Sequence, residues 1–163
     1  MFRMRKVIIN STPLIALCKA GRLNLLKTMY GEVTIPDAVF REVTEKNDFV
    51  QKSIVENSDW IRIGHVSADA DRKMYKAKLH DGEVEVMILA QETNADLVVI
   101  DDLEARKTAE YLGLTLTGTI GILLKAKQLG HLDLVLPVIR EMEKQHIYFS
   151  DALISQIRQL AKE

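Results

Sequence analysis

The fold is decided by the stretch Leu97-Val-Val-Ile-Asp-Asp-Leu-Glu-Ala-Arg106. Its first four residues are apolar and mostly β-branched, which indicates a short strand buried on both faces. Two aspartates follow at once, and a helix is predicted from Asp102 to Leu112, with Gly113 ending it. A buried strand that leads directly into a helix is typical of a parallel sheet covered by helices.

The same alternation of short apolar runs and longer helical stretches extends over the rest of the chain. Other strands are predicted at Lys6–Ile9, Val33–Ile35, Trp60–Ile63 and Thr115–Thr117, with Trp60–Ile63 at a sheet edge. Helices are predicted at Ser11–Lys19, Arg22–Met29, Pro36–Glu45, Phe49–Asn57, Gly82–Thr93, Ile120–Leu129, Leu134–Gln145 and Asp151–Lys162. The first begins with a capping hydroxyl and an early proline, and Asp81 is the expected cap of the fifth. His65–Leu79 is too mixed for a clear prediction.

The bulk composition is that of one globular domain. The 163 residues are 47% hydrophobic and 28% charged, so we expect a single domain over residues 1–163. There is neither a signal peptide nor an apolar run of about eighteen residues, and a cytoplasmic protein without a membrane span is expected. The lone Cys18 excludes an internal disulfide and a cysteine-based zinc site, and its apolar neighbours favour burial.

Several kinds of chemistry are disfavoured by the sequence. The net charge of −1 does not indicate nucleic-acid binding, although metal ions held by acidic side chains supply positive charge where a phosphate lies. No Gly-x-x-x-x-Gly-Lys-Ser/Thr loop, Gly-x-Gly-x-x-Gly turn or Gly-x-Ser-x-Gly elbow occurs. The four histidines have no metal-ligand spacing and are interpreted as surface or turn residues: His65, His80, His131 and His146.

Polar residues follow three of the predicted strands, at the edge where open parallel sheets bind ligands. Asn10 follows the first strand, Asp101 and Asp102 follow Leu97–Ile100, and Gly118-Thr-Ile-Gly121 follows the last strand. Each has a structural explanation: a turn residue, a helix cap beside a solvated acid, and a tight connection between strand and helix. The glycine turn is equally compatible with a phosphate cradle on backbone N–H groups.

Two more acids lie on predicted helices. Glu83 shares a helical face with Val86, Met87 and Ala90, so it is expected to turn inward, where a carboxylate needs a cation or hydrogen-bond donors. An acid stabilised by the helix dipole in the first turn is the alternative. Glu42 lies on a mixed face and could equally be solvated. Together with the strand-end residues, these acids indicate oxygen ligands for a hard divalent cation.

Four segments of the chain resemble the PIN-domain-like proteins of the DUF3368 family. They are Val7-Ile-Ile-Asn-Ser-Thr-Pro-Leu-Ile-Ala-Leu17, Asp81-Gly-Glu-Val-Glu-Val-Met-Ile-Leu-Ala90, Ile100-Asp-Asp-Leu-Glu-Ala-Arg106 and Gly118-Thr-Ile-Gly121. The resemblance implies a three-layer α/β/α fold with a central, mostly parallel sheet. It also implies a nuclease that uses three or four acids with Mg²⁺ or Mn²⁺, often as the RNase toxin of a toxin–antitoxin pair.

The resemblance also places the family's acids in this sequence. The first falls on Asn10, the second on Glu42, the third on Glu83 and the fourth on Asp101, with Asp102 beside it as a further metal ligand. PIN domains generally have aspartate at the first position; the amide oxygen of an asparagine can bind a metal but brings no negative charge. Arg106 and Thr119 are then candidates for binding substrate, although Arg106, four residues after Asp102, is better placed to pair with the acids.

We therefore expect a metal-dependent ribonuclease in which Glu42, Glu83 and Asp101 are catalytic, RNA is the substrate and a small antitoxin is the partner. Asp101→Asn or Glu83→Gln is expected to abolish cleavage. Asn10 and the near-neutral charge favour the alternative, a catalytically weak module that binds RNA or a protein. A receiver domain is disfavoured because it needs its acidic pair after the first strand. The apolar residues of Asp151–Lys162 would pack on this domain or in a homodimer.

Overall fold

A computed structural model describes residues 5–67, 72–76 and 78–163 of the chain. Its centre is a sheet of five strands in the order β3-β2-β1-β4-β5, and every pairing is parallel. The strands are β1 (Val7–Ile9), β2 (Val33–Pro36), β3 (Ile61–Gly64), β4 (Leu97–Val99) and β5 (Leu116–Thr117). All five were predicted to within two residues at either end, and β3 lies at an edge as expected.

Helices flank the sheet in a three-layer α/β/α arrangement, which confirms the predicted fold class. In the described residues they are α1 (Ser11–Lys19), α2 (Asn24–Tyr30), α3 (Asp37–Lys46), α4 (Asp48–Glu56), α5 (Lys73–Lys76), α6 (Asp81–Thr93), α7 (Leu103–Tyr111), α8 (Thr119–Gln128), α9 (Leu136–Lys144) and α10 (Asp151–Ala161). The short α5 lies in the stretch that the sequence left unassigned. No helix of the described segments is long and apolar enough to cross a bilayer.

The core explains why the central strands are so apolar. Every residue of β1 and β4 is buried, because helices cover both faces of the sheet, and the inward sides of α1, α6 and α8 continue the same apolar cluster. Cys18 is buried in this cluster, as its neighbours indicated. In α10, Ile157 and Ala161 pack inward, whereas Leu160 remains 59% exposed.

The strand order places the functional edge of the sheet. The chain runs outward from β1 through β2 to β3, then returns to the other side of β1 to form β4 and β5. The order therefore reverses between β1 and β4, whose residues pair in register from Val7 with Leu97 to Ile9 with Val99. In open parallel sheets, a crevice for ligands opens beyond the carboxyl ends of the strands at such a reversal.

Two helix starts differ from the predictions. No side-chain hydrogen bond caps α1; Asn10 occupies the cap position, and the hydroxyl of Ser11 bonds to Glu42 instead. Asp81 is the first residue of α6, and the cap position belongs to His80. At α1, a residue distant in sequence thus takes the hydroxyl that the local sequence assigned to capping.

Candidate active site

A cavity of about 480 Å³ opens at the reversal between β1 and β4. It is lined by residues from the end of β1 and from α1, α3, α6 and the start of α7: Asn10, Ser11, Thr12, Glu42, Lys46, His80, Asp81, Glu83 and Asp102. Four residues predicted to bind metal, Asn10, Glu42, Glu83 and Asp102, are thus brought together. The fifth, Asp101, is not among the lining residues.

Two side-chain oxygens of this cavity are buried without a hydrogen-bond partner among the described residues: Oδ1 of Asn10 and Oε2 of Glu83. Asn10 is 4% exposed and Glu83 is 5% exposed. The other carboxylate oxygen of Glu83 accepts the backbone N–H of His80 at 3.0 Å, which fixes the side chain. Because a buried oxygen without a partner costs about 1–3 kcal/mol, both atoms favour a bound donor or cation.

The electrostatics of Glu83 point the same way. Burial raises the pKa of the Glu83 carboxyl, the N–H of His80 opposes that rise, and the nearby carboxylate of Asp102 raises the pKa further. Asp102 is at the same time the cap of α7, since its Oδ2 accepts the N–H of Ala105 at 3.0 Å. A positive ion between Glu83 and Asp102 would relieve both the burial penalty and the repulsion.

Glu42 is held in place by groups from two other helices. Its Oε2 accepts the hydroxyl of Ser11 at 2.5 Å, and its Oε1 accepts the backbone N–H of Gly82 at 2.9 Å. A Cβ at position 82 would lie only 2.6 Å from Oε1 of Glu42, so the close approach of the carboxylate requires glycine there. Glu42 is therefore a positioned acid on α3, which excludes the solvated alternative.

Asp101 is bound to the start of α8 and does not line the cavity that holds these acids. Its Oδ1 accepts the N–H of Thr119 at 2.7 Å, and its Oδ2 accepts the hydroxyl of the same residue at 2.6 Å. A Cβ at Gly118 would lie 2.6 Å from Oδ1 of Asp101, so glycine is needed for this approach also. The clamp joins the end of β4 to α8, and Asp101 lines a neighbouring cavity instead.

The two residues considered for substrate binding are engaged elsewhere. The backbone N–H and the hydroxyl of Thr119 both donate to Asp101. The glycine turn therefore acts as a connection between strand and helix, and the N–H of Thr119 already has an acceptor. Arg106 donates from Nη1 to the carbonyl oxygen of Ile100 at 2.9 Å and forms no salt bridge within the described segments. Neither side chain lines the cavity that holds Glu42 and Glu83.

Five lining residues were not singled out for this role by the sequence: Ser11, Thr12, Lys46, His80 and Asp81. Ser11 orients Glu42, and Lys46 and His80 bring basic side chains to the rim. For Lys46 a signal existed, because it lies four residues after Glu42 on the same face of α3. No local signal marks Ser11 or His80, whose contacts join residues far apart in the sequence or depend on the backbone.

A second buried acid on α6 was also missed. Glu85 is 2% exposed, and its position in the sequence did not single it out as a buried acid. Its Oε1 accepts the N–H of Ala38 at 2.9 Å, and its Oε2 pairs with Arg72 at 2.6 Å. Each carboxylate oxygen of Glu85 thus has a partner in the protein, whereas Oε2 of Glu83, two residues earlier, has none among the described residues.

The side-chain oxygens of the residues that line the cavity are suitable ligands for a hard divalent cation. They are amide, hydroxyl and carboxylate oxygens, the ligands that Mg²⁺, Mn²⁺ and Ca²⁺ prefer. In residues 5–67, 72–76 and 78–163, no three His, Cys, Asp or Glu side chains are arranged to hold a metal by themselves. The unpartnered Oδ1 of Asn10 would be a suitable further ligand beside the acids.

Comparison with protein families agrees with this geometry. Residues 6–163 match the model of the family DUF3368, described as a PIN domain. The chain belongs to this family. PIN domains have a nuclease-type fold and generally use divalent metal ions. A comparison with curated proteins finds no match.

Proposed function

We propose that the protein is a metal-dependent ribonuclease whose centre is formed by Asn10, Glu42, Glu83 and Asp102. The observation that carries the proposal is the pair of buried, unpartnered oxygens on Asn10 and Glu83, two residues that line a cavity together with Glu42 and Asp102. The cavity lies where strand order reverses in a parallel sheet, the usual place for a ligand in such folds.

The roles of the residues follow from their contacts. Asn10, Glu83 and Asp102 would hold Mg²⁺ or Mn²⁺, and Glu42, already oriented by Ser11 and Gly82, would accept the proton of the attacking water or bind the ion. A divalent ion bound there supplies an activated water and stabilises charge on a phosphodiester. Asp101 is a positioning residue in this scheme, because it fixes the start of α8 through Thr119.

The remaining parts of the proposal rest on the family and on the rim of the cavity. Lys46 lies exposed at the rim, where its ammonium group would contact an RNA phosphate, a role for which Arg106 was one candidate in the sequence. We also propose a cytoplasmic toxin, active as a homodimer and neutralised by a small antitoxin, because the chain resembles toxin-type PIN proteins.

The test is cleavage of a single-stranded RNA labelled with a fluorophore and a quencher, with Mg²⁺ or Mn²⁺ and with EDTA. Glu83→Gln and Asp102→Asn are expected to lower the rate by about 10³-fold or more, the usual loss when a metal-binding or charge-stabilising group is removed. Asp101→Asn should retain more activity than Asp102→Asn. Glu110→Gln, an exposed acid of α7, is the control, and thermal melts verify that each variant folds.

Equal losses in Asp101→Asn and Asp102→Asn would leave the assignment of Asp102 without support. Unchanged metal-dependent cleavage in both Glu83→Gln and Asp102→Asn would refute the metal centre altogether.

A second function, an inactive module that binds RNA or a protein, is favoured by one observation: the amide at Asn10, where a carboxylate would add negative charge. Asn10→Asp separates the two. In one outcome, the natural chain shows no Mn²⁺ binding by calorimetry and no gain in thermal stability, whereas Asn10→Asp binds Mn²⁺ and is stabilised by it. The natural chain has then lost its metal chemistry. If the natural chain binds Mn²⁺ and cleaves RNA, the module is excluded.

A further inference from the structure

A second cavity, of about 300 Å³, lies beside the proposed metal centre. It is lined by α1, the start of α8 and the segment that joins α9 to α10: Thr12, Ala16, Asp101, Thr119, Ile120, Ile147, Tyr148, Phe149 and Leu153. Thr12 lines both cavities, so they share a wall at the carboxyl end of the sheet. A chain whose phosphate lay in the first cavity would place an adjoining group in the second.

The walls of this second cavity combine aromatic and aliphatic side chains with one acidic group. Tyr148 is 86% exposed, an unusual position for a large ring, and the neighbouring Phe149 is half-buried. Asp101 also lines this cavity, and its two carboxylate oxygens each accept one hydrogen bond from Thr119. A carboxylate can accept about four, so lone pairs remain for a ligand.

These walls suit an unpaired nucleobase better than an apolar side chain of a protein. Covering a carboxylate with an apolar group costs free energy, because the remaining lone pairs lose their water. A base presents N–H donors at its edge and an aromatic face above and below its plane. It would therefore satisfy Asp101 and stack on Tyr148 at once.

We propose that this cavity is a binding site for one unpaired base of the RNA, next to the phosphate held at the metal centre. The site rests on the proposed ribonuclease function and narrows its substrate to single-stranded RNA. It also gives Asp101 a second task, as an acceptor for the base edge.

The test follows binding rather than cleavage. A short single-stranded RNA containing one 2-aminopurine is titrated with protein in buffer with Ca²⁺ in place of Mg²⁺, and intact RNA is verified on a gel; 2-aminopurine riboside without phosphate is titrated in EDTA. Stacking quenches the fluorescence of this base. Tyr148→Ala should weaken both probes about tenfold or more, and Tyr148→Phe should bind as the natural chain does.

Tyr111→Ala is the matched control, since Tyr111 is 90% exposed on α7 and lines neither cavity. Equal quenching by Tyr148→Ala and the natural chain would overturn the base site, even if RNA were cleaved. Loss of quenching in Tyr148→Ala alone would support it, even if no metal gave cleavage. Binding of a duplex as tight as that of the single strand, or a dimer that Tyr148→Ala dissociates in sedimentation, would also overturn it.

Discussion

At the scale of single residues, Glu83 and Glu85 form a natural comparison. Both are buried acids near the start of α6, but Glu85 receives two protein donors and Glu83 leaves one oxygen unpartnered. A buried charge with donors stabilises a fold, whereas one without them is kept at a cost. This contrast between Glu83 and Glu85 supports the proposal that Glu83 binds a ligand.

Glu83→Gln is therefore expected to stabilise the metal-free protein by about 1 kcal/mol at neutral pH, or roughly 2–4 °C in Tm. The pKa of Glu83 is raised above its ordinary value of 4.5 in the folded state, so this state binds more protons than the unfolded chain just above that pH. Stability of the natural chain consequently falls as the pH rises through this window. The advantage of the glutamine should be largest near pH 8 and absent near pH 4.

The measurement is a series of thermal melts in EDTA between these pH values. Glu85→Gln is the contrasting variant: it leaves Arg72 without its buried partner and should lose about 2 kcal/mol at pH 7. A destabilising Glu83→Gln would mean that the oxygen of Glu83 is satisfied in solution. Added Mn²⁺ should raise the Tm of the natural chain and leave that of Glu83→Gln nearly unchanged.

Gly82 gives a second prediction at this scale. In a helix, glycine to alanine usually stabilises by about 1 kcal/mol, but here the new Cβ would meet the Glu42 carboxylate. Gly82→Ala should displace Glu42 and lower RNA cleavage about tenfold or more, because a small misplacement of a catalytic group is costly. In a Glu42→Ala background the same substitution should raise the Tm.

This double-mutant cycle, read by melting and by cleavage, isolates the contact between positions 42 and 82. Gly82→Ala that retains full cleavage would show that Glu42 does not need its observed position.

Sequence reasoning reached the site only in part, for reasons visible in its residues. Asn10 and Glu83 were placed by a strand end and an inward helical face, which follow from hydrophobic patterns, whereas Glu42, on a mixed face, was placed by the family resemblance. The sequence does not show whether Asp101 or Asp102 lines the cavity with these acids, since both come after the same strand. The choice between them depends on Thr119, eighteen residues away, and on which aspartate caps α7.

At the scale of elements, α3 brings an acid and a base to the same cavity. Glu42 and Lys46 lie one helical turn apart on it, and both line the proposed centre. Helical periodicity fixes this pairing, and α3 was predicted almost to its ends. The packing of α3 against α6 positions the side chains of Glu42 and Lys46 in the cavity.

Lys46→Ala tests this arrangement. Loss of one phosphate contact should weaken RNA binding similarly for different sequences and reduce the slope of log K against log salt by about one. Binding is measured in Ca²⁺ by fluorescence anisotropy at several salt concentrations. Lys27→Ala, an exposed lysine of α2 outside the cavity, is the control. If Lys46→Ala leaves the slope of log K against log salt unchanged, Lys46 does not contact an RNA phosphate.

At the scale of the whole molecule, Glu163 joins three helices at a point that lines neither cavity. It follows α10, and its carboxylate accepts the N–H groups of Val135 and Leu136 at the start of α9 at 2.8 and 3.0 Å. Lys127 of α8 donates to it at 2.9 Å and also to the carbonyl oxygen of Ala161. The amphipathic pattern predicted the three helices, but no local sequence pattern predicted the polar contacts of Glu163.

The pH dependence of stability gives the last prediction. Burial of the Glu163 carboxyl raises its pKa, but the N–H groups of Val135 and Leu136 and the ammonium of Lys127 together hold it below the ordinary value of 4.5. A group with a lowered pKa in the folded state stabilises the fold above that value, and the contribution is lost as the pH falls through the lowered pKa.

Glu163→Gln leaves at least one buried donor without an acceptor and should therefore cost about 1–3 kcal/mol at pH 7. The difference from the natural chain should shrink below about pH 4, where both carry a neutral side chain at this position. Urea unfolding at pH 3 and pH 7 measures it, with Glu110→Gln as the exposed control. Because the junction lines neither cavity, cleavage by the folded variant should be unchanged. An equal loss of stability at both pH values would show that neutral geometry, and not the carboxylate charge, holds the three helices together.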